Sequence, residues 1–197
     1  MARSSKEKKP RMGLIVTGVV LIIVLLGIFM TIGVYNSVVR LDEQVQTSWA
    51  QVENQFQRRV DLIPNLVATV QGAADFEKST LTEITALRSQ WQTASTIDEK
   101  AQAATGIERV LSRLLVVAEN YPTLKSNQNF LALQDELANT ENKIAVERGR
   151  YNDAVRAFNT KMRTFPTNII AGNMGFAAKQ YFEAAPGADV APTVAFT

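Results

Sequence analysis

From Met12 to Val34 the chain reads MGLIVTGVVLIIVLLGIFMTIGV, 23 residues without a charged side chain. As a helix such a run rises about 34 Å, enough to cross a hydrocarbon core of about 30 Å. A helix satisfies its own backbone donors and acceptors where no water is available, so the run specifies both a secondary structure and a surrounding medium. A cleaved leader has an apolar region of about 7–15 residues before a small-x-small site. Thr31 and Gly33 supply such a pair, but the run ahead of them is too long, and the segment reads as an uncleaved anchor.

Residues 1–11 carry Arg3, Lys6, Lys8, Lys9 and Arg11 against Glu7, whereas Arg40 beyond the run is followed by Asp42 and Glu43. Basic residues collect on the cytoplasmic side of a span, so residues 1–11 are expected there and the rest of the chain outside the cytoplasm, periplasmic or extracytoplasmic. Gly13 with Thr17 and Gly27 with Thr31 have the small-xxx-small spacing that lets two spans approach, or that arises by chance.

With the basic tail set aside, the chain has 16 basic and 18 acidic side chains, a net charge of −2. That balance argues against nucleic acid, which calls for Lys and Arg gathered on one face. At 197 residues there is material for one domain plus an attachment. No Cys and no His occur, which removes thiol nucleophiles, disulfides, imidazole bases and the usual zinc sites. No catalytic residue, cofactor, metal site or small-molecule substrate is expected from this inventory.

Four stretches beyond the anchor repeat apolar residues at three- and four-residue steps, the pattern of an amphipathic helix. The first runs Val38, Leu41, Val45, Trp49, Val52, Phe56, Val60, Ile63, and on through Leu66, Val70 and Ala73. The second holds Leu81, Ile84, Leu87 and Trp91, with Thr80 and Glu83 in the spacing of a capping box; the third holds Ala104, Ile107, Leu111, Leu114 and Ala118, with Thr96 and Glu99 spaced alike. The fourth begins near Ser126, carries Phe130, Leu133, Leu137, Ile144, Tyr151, Val155, Phe158 and Met162, and ends at Phe165-Pro166. Nothing alternates with period two over a useful length. The fold class is therefore all-α: an N-terminal transmembrane helix followed by an antiparallel up-and-down four-helix bundle. An intermolecular coiled coil is the alternative use of these rows, and Glu147 with Arg148 interrupts the last of them.

After the fourth helix, Phe165, Ile169, Ile170, Phe176, Tyr181 and Phe182 are expected to pack across an end of the bundle, near the lipid interface if the fourth helix returns to the membrane. Gly172 to Gly175 reads GNMG, a loop without the Gly-Lys-Ser/Thr of a phosphate cradle. Residues 184–197 read as a disordered tail of small residues with Pro186 and Pro192.

One stretch resists the helical pattern. RRVDLIPNLV, Arg58 to Val67, sets two arginines, an aspartate and a proline in the first stripe. Pro64 inside a helix removes the bond to the carbonyl of Val60 and costs roughly 3 kcal/mol, whereas a new helix capped by Asp61 would place it harmlessly in the first turn. Arg59-Val60-Asp61 is a poor reversal, and Gly72 and Asp75 are better turn residues, so a continuous, kinked helix turning near Gly72 is favoured. Arg58, Asp61 and Asn65 then share a face and pair locally or bond the freed carbonyls; alternatively Asp61 or Arg59 reaches the polar break at Glu147 and Arg148.

RRVDLIPNLV, the long run LSRLLVVAENYPTLKSNQNFLALQDELANTENKIAVERGRYNDAVRAFN, then RTFPTNIIAG and YFE, together resemble the LemA family of bacterial membrane proteins, in order, over residues 35–183. The resemblance implies a single-pass anchor and a helical-bundle domain, and offers no catalytic residues to carry over. Its marker residues here are Arg58, Arg59, Asp61, Pro64, Asn65, Tyr121, Pro122, Tyr151, Asn152, Phe165, Pro166 and Asn168. Members are often encoded near membrane metallopeptidases and other envelope proteins, which implies work in the cell envelope. The sequence departs from the family pattern in QGAADFEKST, where a histidine before the position of Glu77 is more usual.

Three functions are weighed. The expected one is a membrane-anchored, non-enzymatic scaffold or interaction module of the bacterial envelope, whose partners are the lipid bilayer and other envelope proteins or copies of itself. A lipid-binding or membrane-remodelling role rests on the basic tail and the apolar C-terminal segment. A carboxylate enzyme would use Asp135, Glu136, Glu141 and Glu147, but these read more simply as a solvated face paired with Lys143 and Arg150.

Overall fold

The apolar run is helical throughout and continues without a break into the first amphipathic stripe. In the computed structural model, which describes residues 11–71, 78–118 and 120–182, this helix is α1, Arg11–Gln71. It is followed by α2 (Lys78–Thr93), α3 (Ile97–Ala118), the short α4 (Pro122–Lys125), α5 (Gln128–Arg163), the single turn α6 (Thr167–Ile170) and a 3₁₀ turn, Gly172–Met174. The described residues contain no strand, and the fold is all-α. Residues 1–10 of the basic tail, Gly72, Ala73, Asp75, Glu77, Glu183 and the C-terminal tail lie outside the described residues.

The chain divides into two compact units, Met1–Gln44 with Arg156–Lys179, and Val45–Val155 with Gln180–Thr197. In the first, the large side chains of the apolar run stand exposed, as a helix surrounded by lipid requires. Thr17 and Thr31 return their hydroxyls to the carbonyls of Gly13 and Gly27, at 3.0 and 2.9 Å, so neither leaves a polar group to the lipid. This helix makes the protein a single-pass membrane protein. Burial begins at the end of the run: Val34 and Val38 are covered, Tyr35 and Phe158 each meet the ring of Phe176 at 6.2 and 6.5 Å, and Lys179 pairs with Asp42 at 2.7 Å.

The second unit is a helical bundle. Gln57 bonds Trp91, Glu83 pairs with Arg113, Glu108 with Arg148, Arg59 with Glu141, and Trp49 packs on Tyr151. Between α1 and α5, Trp49 meets Tyr151 and Arg59 meets Glu141, so residue numbers rise on one helix as they fall on the other. The stripes read from the sequence form the core, with Val52, Phe56, Val60, Leu66, Ile84, Ile107, Leu114, Ile144 and Val155 all at most 1% exposed. α2 and α3 meet so closely at Gly106 that a Cβ there would lie 2.6 Å from Leu87 Cδ2.

Three expectations are corrected. Thr80 does not cap α2: the helix is already formed at Lys78, Thr80 is buried within it, and Glu83 turns to Arg113. α5 begins at Gln128, capped by Asn127, whose side-chain oxygen accepts from the amides of Asn129 and Phe130. Phe165, Ile169 and Tyr181 are not packed away but are 75, 61 and 48% exposed. The other box forms as read: the Thr96 hydroxyl accepts from the Glu99 amide at 3.2 Å, and the Glu99 carboxylate accepts from the amides of Ser95 and Thr96. Those bonds hold Glu99 below the ordinary carboxylate value, the amide of Ser95 contributing most. α1 passes through Pro64 unbroken.

Candidate functional site

Four polar residues occupy stripe positions on three helices of the bundle and meet in its interior. On α1, Arg59 lies between Phe56 and Ile63; on α3, Glu108 between Ala104 and Leu111; on α5, Thr140 and Arg148 flank Ile144. Helical periodicity forces all four inward, and each must find a partner there.

Arg59 is 3% exposed. Its Nη2 donates to the carbonyl of Leu137 at 3.1 Å and to the Glu141 carboxylate, its Nε donates to Thr140 Oγ1 at 3.4 Å, and its Nη1 lies 3.7 Å from Glu108 Oε1. The planar fork suits four acceptors on two helices at once. Glu108 also receives Arg148, whose guanidinium carbon lies 4.3 Å from the ring centre of Phe182 and 5.1 Å from that of Phe56. Burial pushes the Glu108 carboxyl above the ordinary carboxylate range; the Arg148 charge opposes this, the Glu141 charge adds to it, and Arg59 opposes it again. An open pocket of about 160 Å³ lies beside the cluster, lined by Arg59, Glu108, Ser112, Gln134 and Glu141 among others.

Phe182 ties the cluster to a second device. It is 6% exposed and stacks on Trp49 and Phe56 at 6.0 and 6.3 Å between centroids. Its backbone is held at both ends by one side chain: the Asn152 amide nitrogen donates to the Phe182 carbonyl at 3.0 Å, and the Asn152 oxygen accepts from the Phe182 amide at 2.8 Å. Tyr151 donates to the carbonyl of Gln180 at 3.1 Å, and burial raises its phenol above the ordinary value. In the other unit Asn159 grips Lys179 in the same two-bond manner, both at 2.9 Å. An asparagine amide matches one residue's N–H and C=O and reads no side chain, so extended chain is held here by its backbone. Along α3, beside Gln180 to Phe182, runs an open groove of about 880 Å³ lined by Asp98, Gln102, Thr105, Gly106 and Arg109.

With the anchor, the bundle and this cluster in view, comparison with known proteins decides the relationship. The model of the LemA family matches residues 48–196. The chain belongs to the LemA family. Among relatives, this LemA-family chain is 27% identical to Protein LemA of Metamycoplasma hominis over 190 residues, covering 90% of this chain and 83% of that protein. It is 26% identical to Magnetosome protein MamQ 2 of Paramagnetospirillum magneticum over 181 residues, covering 79% of this chain and 66% of the relative. Magnetosome protein MamQ of Magnetospirillum gryphiswaldense is 25% identical with the same coverage. The chain thus spans just under two thirds of the length of the magnetosome relatives.

The marker residues fall into separate places. Arg59, Tyr151 and Asn152 converge on the charged cluster and the Phe182 pocket. Arg58 is exposed; Asp61 is exposed and accepts from Gln57 at 2.8 Å; Pro64 lines a cavity of about 270 Å³ with Ile63, Val67 and Arg88; Asn65 offers its carbonyl to Thr69. Tyr121 precedes α4, which Pro122 opens. Phe165 and Pro166, joined by a cis peptide bond, form the turn before α6, and Asn168 is exposed within it. Of the acidic residues on α5, Glu141 goes to Arg59 and Glu147 to Arg150, while Asp135 and Glu136 are exposed. No group of three or more Asp and Glu able to hold a metal occurs among the described residues. The sequence reading missed Glu108 and, though it expected Phe182 to be packed away, as it is, the contacts of Phe182 with Arg148 and Asn152. Glu108 had a signal, a charge at a stripe position of α3; Phe182 had none beyond being apolar.

Proposed function

We propose that this LemA-family protein is a membrane-tethered scaffold of the bacterial envelope, with residues 1–11 in the cytoplasm, residues 12–34 in the bilayer and the domain of residues 35–183 outside the cytoplasm. It works without catalysis, by binding other envelope proteins or further copies of itself. The observation that carries this reading is the disposition of its polar groups. Buried Arg59 and largely covered Arg148 close on Glu108 and on half-exposed Glu141, while the groove along α3 is open and lined by uncharged residues around Asp98 and Arg109. Relatives named for the magnetosome support work as part of a larger cellular structure.

A photo-crosslinking residue in place of Gln102, in full-length protein in native membranes, tests the reading against the same residue at exposed Glu136. Protein adducts enriched at position 102 are expected; no adduct at either position, in monomeric or crosslinked form, overturns the scaffold. Because the chain has no native Cys, Asn142→Cys reports topology with an impermeant thiol reagent. Labelling that requires disruption of the inner membrane would overturn the outside placement.

A further inference from the structure

The turn that follows α5 is inside out. In α6 and its flanks, Thr167 and Ala171 are fully buried, while Phe165 and Ile169 are 75 and 61% exposed and Met174 is 40% exposed. A turn facing water places its large apolar residues inward and its small polar ones outward, and this one does the reverse. The reversal is local: Phe158, one helical stretch earlier, is fully buried in the same unit.

Its position names the medium it faces. Within this unit the cover of α1 begins at the last residue of the apolar run, Val34, with no polar spacer, and the next residue, Tyr35, meets Phe176 at 6.2 Å. Phe176 follows the inverted turn by a few residues and is held against Phe158. The turn is therefore tied to the point where α1 leaves the hydrocarbon, the level at which aromatic side chains settle in a bilayer. Lys161 and Arg163 stand in the last turn of α5 just before it, and exposed Arg40 lies little more than one helical turn beyond Tyr35. An apolar face with cations beside it matches lipid tails under anionic headgroups.

We infer that Phe165, Ile169 and Met174 form a second membrane contact, inserted into the leaflet from which α1 emerges, so that the protein holds its bilayer at two points. The occupant of this face is the protein's own membrane, because the turn is joined through Phe176 to Tyr35, the residue that follows the span. The contact does not depend on the scaffold reading: it concerns the first unit alone and holds for either topology.

The test uses full-length protein in vesicles of phosphatidylcholine and phosphatidylglycerol, with single spin-labelled cysteines in place of Phe165, Ile169, Ile32 and Glu136. Accessibility to oxygen and to a water-soluble nickel chelate is measured at each. Labels at 165 and 169 are expected to be open to oxygen and shielded from the chelate, as at 32 and unlike 136. Chelate access equal to that at 136 overturns the inference. So does shielding accompanied by spin–spin broadening that grows with protein density in the vesicle, which would seat a second copy on the face instead. A circular dichroism spectrum matching the unsubstituted chain confirms that each labelled variant is folded; Met174→Cys supplies a further position should either fail.

Discussion

Along one helix, the side chains from Leu14 to Ile32 and those from Val45 to Val70 live under opposite rules. In the first part even Leu25 and Met30 are 45% exposed and no charge is present; in the second, Val52, Phe56 and Leu66 are wholly buried, yet Arg59 is buried among them at 3%. The part with the apolar surroundings on every side excludes charge, and the part with a protein interior admits one. The difference lies in what the neighbours supply. Lipid offers an arginine no acceptor, whereas α3 and α5 bring Arg59 two carboxylates, a hydroxyl and a carbonyl. A buried charge is thus an exact probe of context: its cost is set by the partners that folding delivers.

The sharpest way to break this contrast is to remove the charge from one side. Arg59→Ala leaves Glu108 with Arg148 alone, and takes from half-exposed Glu141 its cation and from the Leu137 carbonyl one of its donors. Removing one partner from a buried pair costs up to about 3–5 kcal/mol, and the loss is read as a fall in the denaturant midpoint of the bundle. The reciprocal change adds a charge where no partner waits. Val24→Arg at the middle of the apolar run should cost about 2.5–3.5 kcal/mol of insertion, measured as protein lost from the alkali-resistant membrane fraction. Equal tolerance of both changes would remove the contrast.

Why Arg59 was only half legible follows from the same physics. Periodicity says which way a side chain points, so the stripes, the all-α class and the inward placement of Phe56 or Ile107 were open to reading. Periodicity does not say which helix lies opposite. The pattern offers Arg59 the polar break at Glu147 and Arg148 on α5; it meets Glu141 on that helix, and it shares Glu108 of α3 with Arg148. Local devices fared by how much they depend on helix ends. Thr96 and Glu99 form their box, whereas Thr80 with Glu83 has the same spacing but lies inside α2, because a box is only a cap where the helix happens to start. Asn152 was marked by the family resemblance without a role. Its partner is a backbone thirty residues away, and nothing in a sequence pattern records a contact that ignores the partner's side chain.

The Asn152 device gives a smaller effect. Asn152→Ala removes two hydrogen bonds to Phe182, each worth about 0.5–1.5 kcal/mol net, and a loss of about 1–3 kcal/mol in thermal or denaturant unfolding is expected. Asn152→Asp keeps the acceptor and loses the donor, and should fall between. Next is the pH response of Glu108. Its folded carboxyl titrates above the ordinary 4.5, chiefly through burial, so the folded state holds that proton more tightly than the unfolded one. Between 4.5 and the raised value the unfolded state binds fewer protons, and stability falls as pH rises through this window. Glu108→Gln removes this titration. The stability of the wild type minus that of the variant should therefore decline with rising pH; a difference that is flat or climbs would show that the paired arginines, not burial, govern this carboxyl.

The smallest effect is expected at Asp61, two positions from Arg59 and on the other side of the same helix. The sequence gives both residues equal standing within RRVDLIPNLV, and the proline nearby makes a structural role for either one plausible. The helix turns them apart: Arg59 enters the bundle, while Asp61 stands in solvent with one bond, from Gln57 a turn earlier. An exposed pair of this kind contributes a few tenths of a kcal/mol, and surface changes stay within about 0.5 kcal/mol. Asp61→Ala should accordingly leave the unfolding midpoint within that margin while Arg59→Ala shifts it several-fold further. If Asp61→Ala proves as damaging as Arg59→Ala, its carboxylate serves something other than the fold, and a binding partner for that exposed face becomes the thing to seek.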